Sequence, residues 1–243
     1  MFFHGTEKRY NQFSEYLKEK FGVKVYKITL DAGFSCPNRQ NGKHGCIYCD
    51  DGGSFSQSHS ANMSIKEQLD FGAQYLTDRF KAVKYMSYFQ SFSNTYKPVE
   101  ELKTIYDASL DHPDIVGISI GTRPDCVDEE KLDLIAGYKD KYETWIEYGL
   151  QSMHNKTLER INRGHDLDCF LKAYEMTKER GINTCVHVIF GLWETHEEMM
   201  ETIKLLAKLR VAGIKLHMIC GLRGTEITRM YERGEFEFMD EME

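Results

Sequence analysis

Six short runs of apolar residues recur along the chain, at Val23–Leu30, Val83–Gln90, Asp114–Ile120, Glu143–Leu150, Asn183–Phe190 and Ile214–Ile219. Their length and their β-branched and aromatic content predict strands. Amphipathic segments with readable starts separate them. Ser64 and Glu67 form a capping box before a predicted helix Ile65–Phe80, and Thr195 with Glu198 forms another before a helix running to Arg210. Pro98 suits a first helical position, and Asp128 can cap a helix through Tyr138. Asn155–Asn162 and Leu167–Arg180 complete the set, with Gly181 ending the last. Strands alternating with helices predict an α/β fold. Its parallel sheet carries helices on the outer face and is either doubly wound or curled into part of a barrel. In both architectures ligands bind at the carboxyl ends of the strands, so the loops that follow the strands are where chemistry is expected.

A length of 243 residues suits one large domain, and neither a low-complexity stretch nor a Pro/Ser-rich linker divides it. No apolar run approaches the roughly 20 residues that span a bilayer, so no membrane association is expected. Met1–Tyr10 lacks signal-peptide architecture, and the expected compartment is therefore the cytoplasm. The net charge of −7 argues against a generic nucleic-acid coat protein while leaving room for a local basic rim.

Three of the seven cysteines crowd into the loop after the first predicted strand, Gly33-Phe-Ser-Cys36-Pro-Asn-Arg-Gln-Asn-Gly-Lys-His-Gly-Cys46-Ile-Tyr-Cys49-Asp-Asp-Gly-Gly53. The others, Cys126, Cys169, Cys185 and Cys220, are isolated and read as small buried apolar residues. Three thiolates can ligate three irons of a 4Fe–4S cubane and leave the fourth iron open. An open iron can chelate an amine and a carboxylate, which the methionine end of S-adenosylmethionine (SAM) offers. The bland alternative is a structural zinc with His44 or His59 as fourth ligand, although zinc sites usually pair two short knuckles and only one C-x-x-C is present.

The C-x9-C-x2-C spacing followed by an Asp-Gly-Gly turn resembles the radical SAM domain of the elongator catalytic subunit. Ile120-Gly-Thr-Arg-Pro-Asp125 is similar to its Glu-Thr-Arg-Pro-Asp stretch. Glu147-Tyr-Gly-Leu-Gln151-Ser152 with Arg160-Ile-Asn-Arg163-Gly-His165 is similar to its E-x-G-x-Q-S…R-G-H segment. Oxygen-independent coproporphyrinogen oxidases also place a Gln and an Arg twelve residues apart here. These stretches, with Tyr88–Glu100, His187–Leu192 and Leu222–Gly234, identify the chain as resembling the YhcC/YtqA-like radical SAM proteins over nearly its whole length.

That resemblance implies a partial (βα)6-type parallel barrel forming a single radical SAM domain over residues 1–243. Cys36, Cys46 and Cys49 would hold the cluster. Tyr48 would lie near the adenine of SAM, and Gln151 and Arg163 would contact SAM. Two departures stand out. The Gly-Gly-Glu that receives SAM's amino group is replaced by Tyr88-Phe-Gln-Ser-Phe-Ser-Asn-Thr-Tyr96, where Gln90, Ser91 and Asn94 are the available acceptors. Gly121 stands where the elongator stretch has a glutamate, which passes the ribose contacts to Glu147 or His187. His187 alone reads equally as a satisfied core histidine. Gly191-Leu-Trp-Glu-Thr195 replaces the family's Gly-Leu-Pro-Gly-Glu. The acidic run ending at Glu243 lacks the closing strand or helix of family members, which suggests a C-terminally incomplete domain.

The resemblance further implies reductive cleavage of SAM to a 5′-deoxyadenosyl radical, fed by an electron donor such as flavodoxin or ferredoxin. The implied substrate is tRNA, modified on the C5 side chain of a wobble uridine, a base that is readily splayed from its loop. Candidate phosphate contacts are Arg160, Arg163, Lys172, Arg223 and Arg229, with Glu159, Glu226 and Glu232 close enough in sequence to neutralise them. The alternatives are radical chemistry on a small molecule and, outside enzymology, an RNA- or protein-binding module with a structural metal.

Overall fold

The computed structural model describes residues 10–40, 42, 44–50, 52 and 63–239. The elements run α1 (Phe13–Phe21), β1 (Val25–Leu30), α2 (Ile65–Phe80), β2 (Lys84–Phe89), α3 (Val99–Ser109), β3 (Ile115–Thr122), α4 (Glu129–Ala136), β4 (Glu143–Gln151), α5 (Asn155–Arg160), α6 (Leu167–Glu179), β5 (Asn183–Phe190), α7 (His196–Leu209), β6 (Gly213–Met218) and α8 (Glu226–Glu232). All six predicted strands are present, in one sheet of order β1-β2-β3-β4-β5-β6 with every neighbouring pair parallel. No helix among the described residues is long and apolar enough to cross a membrane.

The sheet is curled into a half-barrel. In a flat sheet β1 and β6 would lie five strand spacings apart, roughly 24 Å. Yet Lys27 of β1 and Lys215 of β6 both reach the carboxylate of Glu147 on β4, at 2.5 and 3.8 Å. Only a curled sheet brings both edges to one side chain.

Curling gives the strands two different faces. The outer one carries Ile28, Leu30, Phe89, Ile118, Ile120, Ile146, Tyr148, Leu150, Val186 and Val188, which pack against Leu69, Leu102, Tyr106, Leu132, Phe170 and Leu206 of the helices. Each such side chain contributes about 1.5–3 kcal/mol by leaving water. Both predicted capping boxes form, at Ser64–Glu67 and Thr195–Glu198.

Helix α1 was not legible in the sequence, because only Leu17 of its polar stretch is buried. It lies against the amino-terminal end of the strands. Phe13 meets Trp145 edge-on at 5.0 Å, and Tyr16 and Lys20 bind the buried Glu143. Helix α8 follows β6, and Ile227 buries its apolar side under the cysteine loop.

Several predicted boundaries move. Pro98 caps α3 from outside the helix, α4 stops at Ala136, and α5 stops at Arg160. Asn162 then takes a left-handed φ of 53°. Strands β3 and β4 run on to Thr122 and Gln151, carrying their last residues to the rim of the half-barrel.

Candidate active site

A cavity of about 510 Å³ opens at the carboxyl ends of the strands and descends into the half-barrel. Cys36, Cys46, Tyr48, Cys49, Gln90, Glu147, Gln151, Arg163 and His187 all line it, although they come from sequence stretches up to 151 positions apart. Ser91 and Asn94 do not. Asn94 points its amide back to the carbonyl of Gly121, at 2.6 Å, and Ser91 is buried with no partner for its hydroxyl among the described residues.

The cysteine loop is pinned by backbone contacts to distant elements. Cys36 precedes a single 3-10 turn, Pro37–Arg39, and Cys46 and Cys49 share a turn closed by Cys49 N–H on the Cys46 carbonyl. Asn38 donates to the Asn162 carbonyl at 2.6 Å, and Asn162 donates in return to the Gly45 carbonyl at 2.6 Å. Ile47 donates to Ile161 and accepts from Ile227 of α8. Arg39 donates to the carbonyls of Cys49 and Asp50. The left-handed turn at Asn162 and Gly164 thus docks the loop. A Cβ on Gly164 would come within 2.6 Å of the Asn38 amide oxygen. Asp51, Gly53 and His59 lie outside the described residues.

Electrostatics single out Cys46. Burial opposes ionisation of its thiol, but the Arg163 guanidinium, 3.5 Å from the sulfur, and the charge of Arg123 outweigh burial and hold it below its ordinary value. Asn38 adds a donor at 3.7 Å. For Cys49 the balance reverses: burial and the neighbouring Cys46 raise it in spite of Arg39. Tyr48 is also raised, by burial and chiefly by the Cys46 sulfur, in spite of Arg163.

The spread of these sulfurs bears on the zinc alternative. A single zinc with bonds of about 2.3 Å holds its sulfurs roughly 3.8 Å apart. Among the described residues, the ligand atoms that gather within 4.8 Å belong to Glu147, Cys185 and His187, and the loop thiols are not among them. His44 is exposed on the loop. A wider triangle of thiols suits a cluster that offers each thiolate its own iron.

Arg163 and Gln151 are held on the rim. Arg163 is buried, and it donates to the Gly149 carbonyl from Nε at 3.1 Å and from Nη2 at 2.6 Å. Its backbone carbonyl accepts from Arg123 at 2.7 Å, and Arg123 is clamped in turn by Asp125 at 2.7 and 2.8 Å. Gln151 follows an irregularity in β4 and has φ of 78°, a conformation that side chains other than glycine adopt at a cost of about 1 kcal/mol or more. Its amide oxygen is buried with no partner among the described residues. Gln151 is thus a strained residue on the cavity wall, and its unpaired acceptor is one that a ligand's own N–H or O–H donor would satisfy.

The absence of a glutamate at Gly121 has a steric cause. A Cβ there would sit 2.9 Å from the Phe89 carbonyl oxygen, so β2 and β3 close too tightly for any side chain.

Glu147 lies four residues below Gln151, roughly 13 Å down the strand. It is almost fully buried and accepts from Ser119, from Lys27 at 2.5 Å, from His187 Nε2 at 2.7 Å and from Tyr88 at 3.1 Å. Burial works against the carboxylate, but these donors hold Glu147 well below the usual range. His187 passes the pattern on, since its Nδ1 lies 3.3 Å from His217 Nε2. An ionised Glu147 fixes His187 as the Nε2–H tautomer, so His187 Nδ1 accepts from His217. Sequence reasoning missed Lys27, Tyr88, Ser119, Lys215 and His217. The signal available was a polar side chain at alternate positions of otherwise apolar strands.

Comparison with known proteins agrees with this geometry. The model of the Radical SAM superfamily matches residues 36–206. YtqA of Bacillus subtilis is 39% identical over 242 residues, covering 98% of this chain and 75% of that one. A tRNA uridine(34) acetyltransferase of Methanocaldococcus infernus is 27% identical over 145 residues, 58% of this chain and 26% of the relative. Among solved structures, the archaeal Methanocaldococcus infernus Elp3 superposes with a TM-score of 0.66 at 18% identity, over 88% of this chain and 50% of that one, which shows a shared fold.

Proposed function

The chain belongs to the radical SAM superfamily, whose members use a 4Fe–4S cluster and S-adenosylmethionine, and from that premise we propose that it modifies the C5 side chain of a tRNA wobble uridine. In this reading residues 1–243 act as one domain. Cys36, Cys46 and Cys49 hold the cluster, and Tyr48, Gln90, Gln151 and Arg163 surround SAM. When bound, the cluster and SAM together supply a 5′-deoxyadenosyl radical able to take hydrogen from an unactivated carbon.

The protein's own part is positioning. Arg163 and Asn38 orient the Cys46 sulfur, and the docked loop keeps the cysteines over the mouth of the cavity. Gln151, on the cavity wall, would turn its unpaired amide oxygen to a donor of SAM, relieving the cost of leaving that acceptor buried and unmatched. The strand-lined walls below exclude bulk water from the reacting carbon. A flavodoxin- or ferredoxin-type donor would reduce the cluster.

The observation that carries the enzymatic reading is the convergence of three loop thiols and the Gln151–Arg163 pair on one cavity. The tRNA reading is supported by sequence similarity to a tRNA uridine(34) acetyltransferase. The test is 5′-deoxyadenosine formation under dithionite, with and without unmodified or partly modified tRNA, alongside modified nucleosides in tRNA from cells with and without the gene. Stimulation by tRNA and a changed nucleoside support the proposal. Turnover indifferent to tRNA transfers it to a small molecule. That second reading has its own support, because Arg163 is buried and Arg229 is paired with Glu226 at 3.0 Å, leaving fewer free cations for phosphates.

A further inference from the structure

The floor of the cavity holds two ammonium groups around one carboxylate. Glu147 has its lone pairs occupied: Lys27 and Ser119 lie on Oε1, and Tyr88 and His187 on Oε2. Lys215 is left outside this shell, 3.8 Å from Glu147, and its direct hydrogen bond goes to the neutral hydroxyl of Tyr88 at 2.9 Å. An ammonium has three donors, and this bond uses one of them. The Lys215 side chain is 37% exposed and lines the cavity, which leaves two donors for a ligand in that space.

No other group on the facing strands neutralises it. Lys27 is a cation, His187 and His217 are held neutral by burial, and burial with the charge of Glu147 pushes the Cys185 thiol up to about 12. Burial also holds Lys215 below its ordinary value in spite of Glu147. The floor therefore carries one uncompensated positive charge, and its neighbours His187 and His217 border the same space.

We propose that Lys215 anchors a carboxylate of the substrate at the floor of the cavity. A single surplus charge matches a monoanion, which a carboxylate or a phosphodiester could supply. Depth decides between them. Lys215 lies three residues below the end of β6 at Met218, roughly 10 Å into the half-barrel. A carboxylate ends a side chain and can reach a recessed ammonium, whereas a diester is tethered on both sides and needs a chain that enters and leaves. The inference rests on the proposed function only in taking this cavity as the substrate's site.

The test is residue-specific amine labelling of the cluster-loaded protein, read by mass spectrometry. Acetate is the probe, acetamide its neutral counterpart and dimethyl phosphate the diester. Bound acetate should slow labelling of Lys215 saturably, by about tenfold for each unit by which the anion raises the ammonium's pKa, and leave Lys172 and Lys208 unchanged. Acetamide should have no effect. Labelling of Lys215 that ignores acetate, or that acetamide slows equally, overturns the proposal. Stronger protection by dimethyl phosphate reassigns the site to a nucleic-acid backbone. Protection by SAM alone equal to that by acetate assigns the charge to the cofactor's own carboxylate and also overturns it. None of these readings uses tRNA, so the anion site and the tRNA reading fail separately.

Discussion

The guanidinium of Arg163 lies across Gly149, bonding its carbonyl twice while a third nitrogen faces the sulfur of Cys46. Glycine is needed there because a Cβ would fall 2.7 Å from Arg163 Nη2 and 2.8 Å from Gln151 Nε2. Gly149→Ala should therefore displace both rim residues at once. We expect a loss of about 1–3 kcal/mol in stability from overpacking and at least tenfold weaker SAM binding. Guanidinium unfolding and equilibrium dialysis with SAM measure the two effects. Unchanged SAM affinity in Gly149→Ala would remove Gln151 and Arg163 from the cofactor site.

Anaerobically reconstituted protein should be brown and carry four irons, with absorption near roughly 400 nm. Cys36→Ala, Cys46→Ala and Cys49→Ala should each abolish this. Alanine at Cys126, Cys169, Cys185 or Cys220 should preserve it. Stoichiometric zinc without iron uptake is the contrary result.

Removing the carboxylate of Glu147 strands Lys27 inside the half-barrel. Glu147→Ala should cost about 3–5 kcal/mol, the usual loss when one partner of a buried ion pair is deleted. Adding Lys27→Met to that background should restore part of it. Denaturant midpoints of the two single variants and the double variant decide the matter, and strict additivity would mean that the pair is not coupled.

Acid should destabilise the protein before its carboxylates titrate. Burial, with His187 and the Lys215 ammonium beside it, lowers His217 from 6.5 to about 4. As pH falls below 6.5 the unfolded chain takes up a proton that the folded chain declines until about 4. Stability should therefore drop on acidification across that window and return as pH is raised. His217→Asn should make the dependence shallower, as read from thermal midpoints between pH 7 and pH 4, with the remainder carried by His187 and by His165, which burial and the charges of Arg163 and Arg123 lower to about 3.

Of the five candidate phosphate contacts, Arg163 is buried and Arg229 is paired with Glu226. Arg160, Lys172 and Arg223 are exposed, and Arg160 sits 3.7 Å over the Trp193 ring. At about 0.7–0.9 per phosphate contact, three cations predict a slope of roughly 2 to 3 in log affinity against log salt. Filter binding of tRNA over a salt series measures it. A slope near that of all five would show that the ion pair and the buried arginine open on binding.

Strand positions, capping boxes and the parallel α/β character were readable because they follow from local periodicity and local hydrogen bonding. The cysteine loop was readable for a similar reason, since three soft ligands within fourteen positions restrict the chemistry whatever the surrounding fold. Gln90, Ser91 and Asn94 looked equivalent in sequence, and only the end of β2 separated them, sending Asn94 to Gly121 while Gln90 lines the cavity. Lys27, Tyr88, Ser119, Lys215 and His217 each read as one polar residue in an apolar strand. The meeting of the first four on Glu147, and of His217 on His187, depends on the sheet's curl, which is set by packing between helices and strands far apart in sequence. The chain's spacing determined which atoms can bind iron, and the closure of the half-barrel decided which charges lie beneath them.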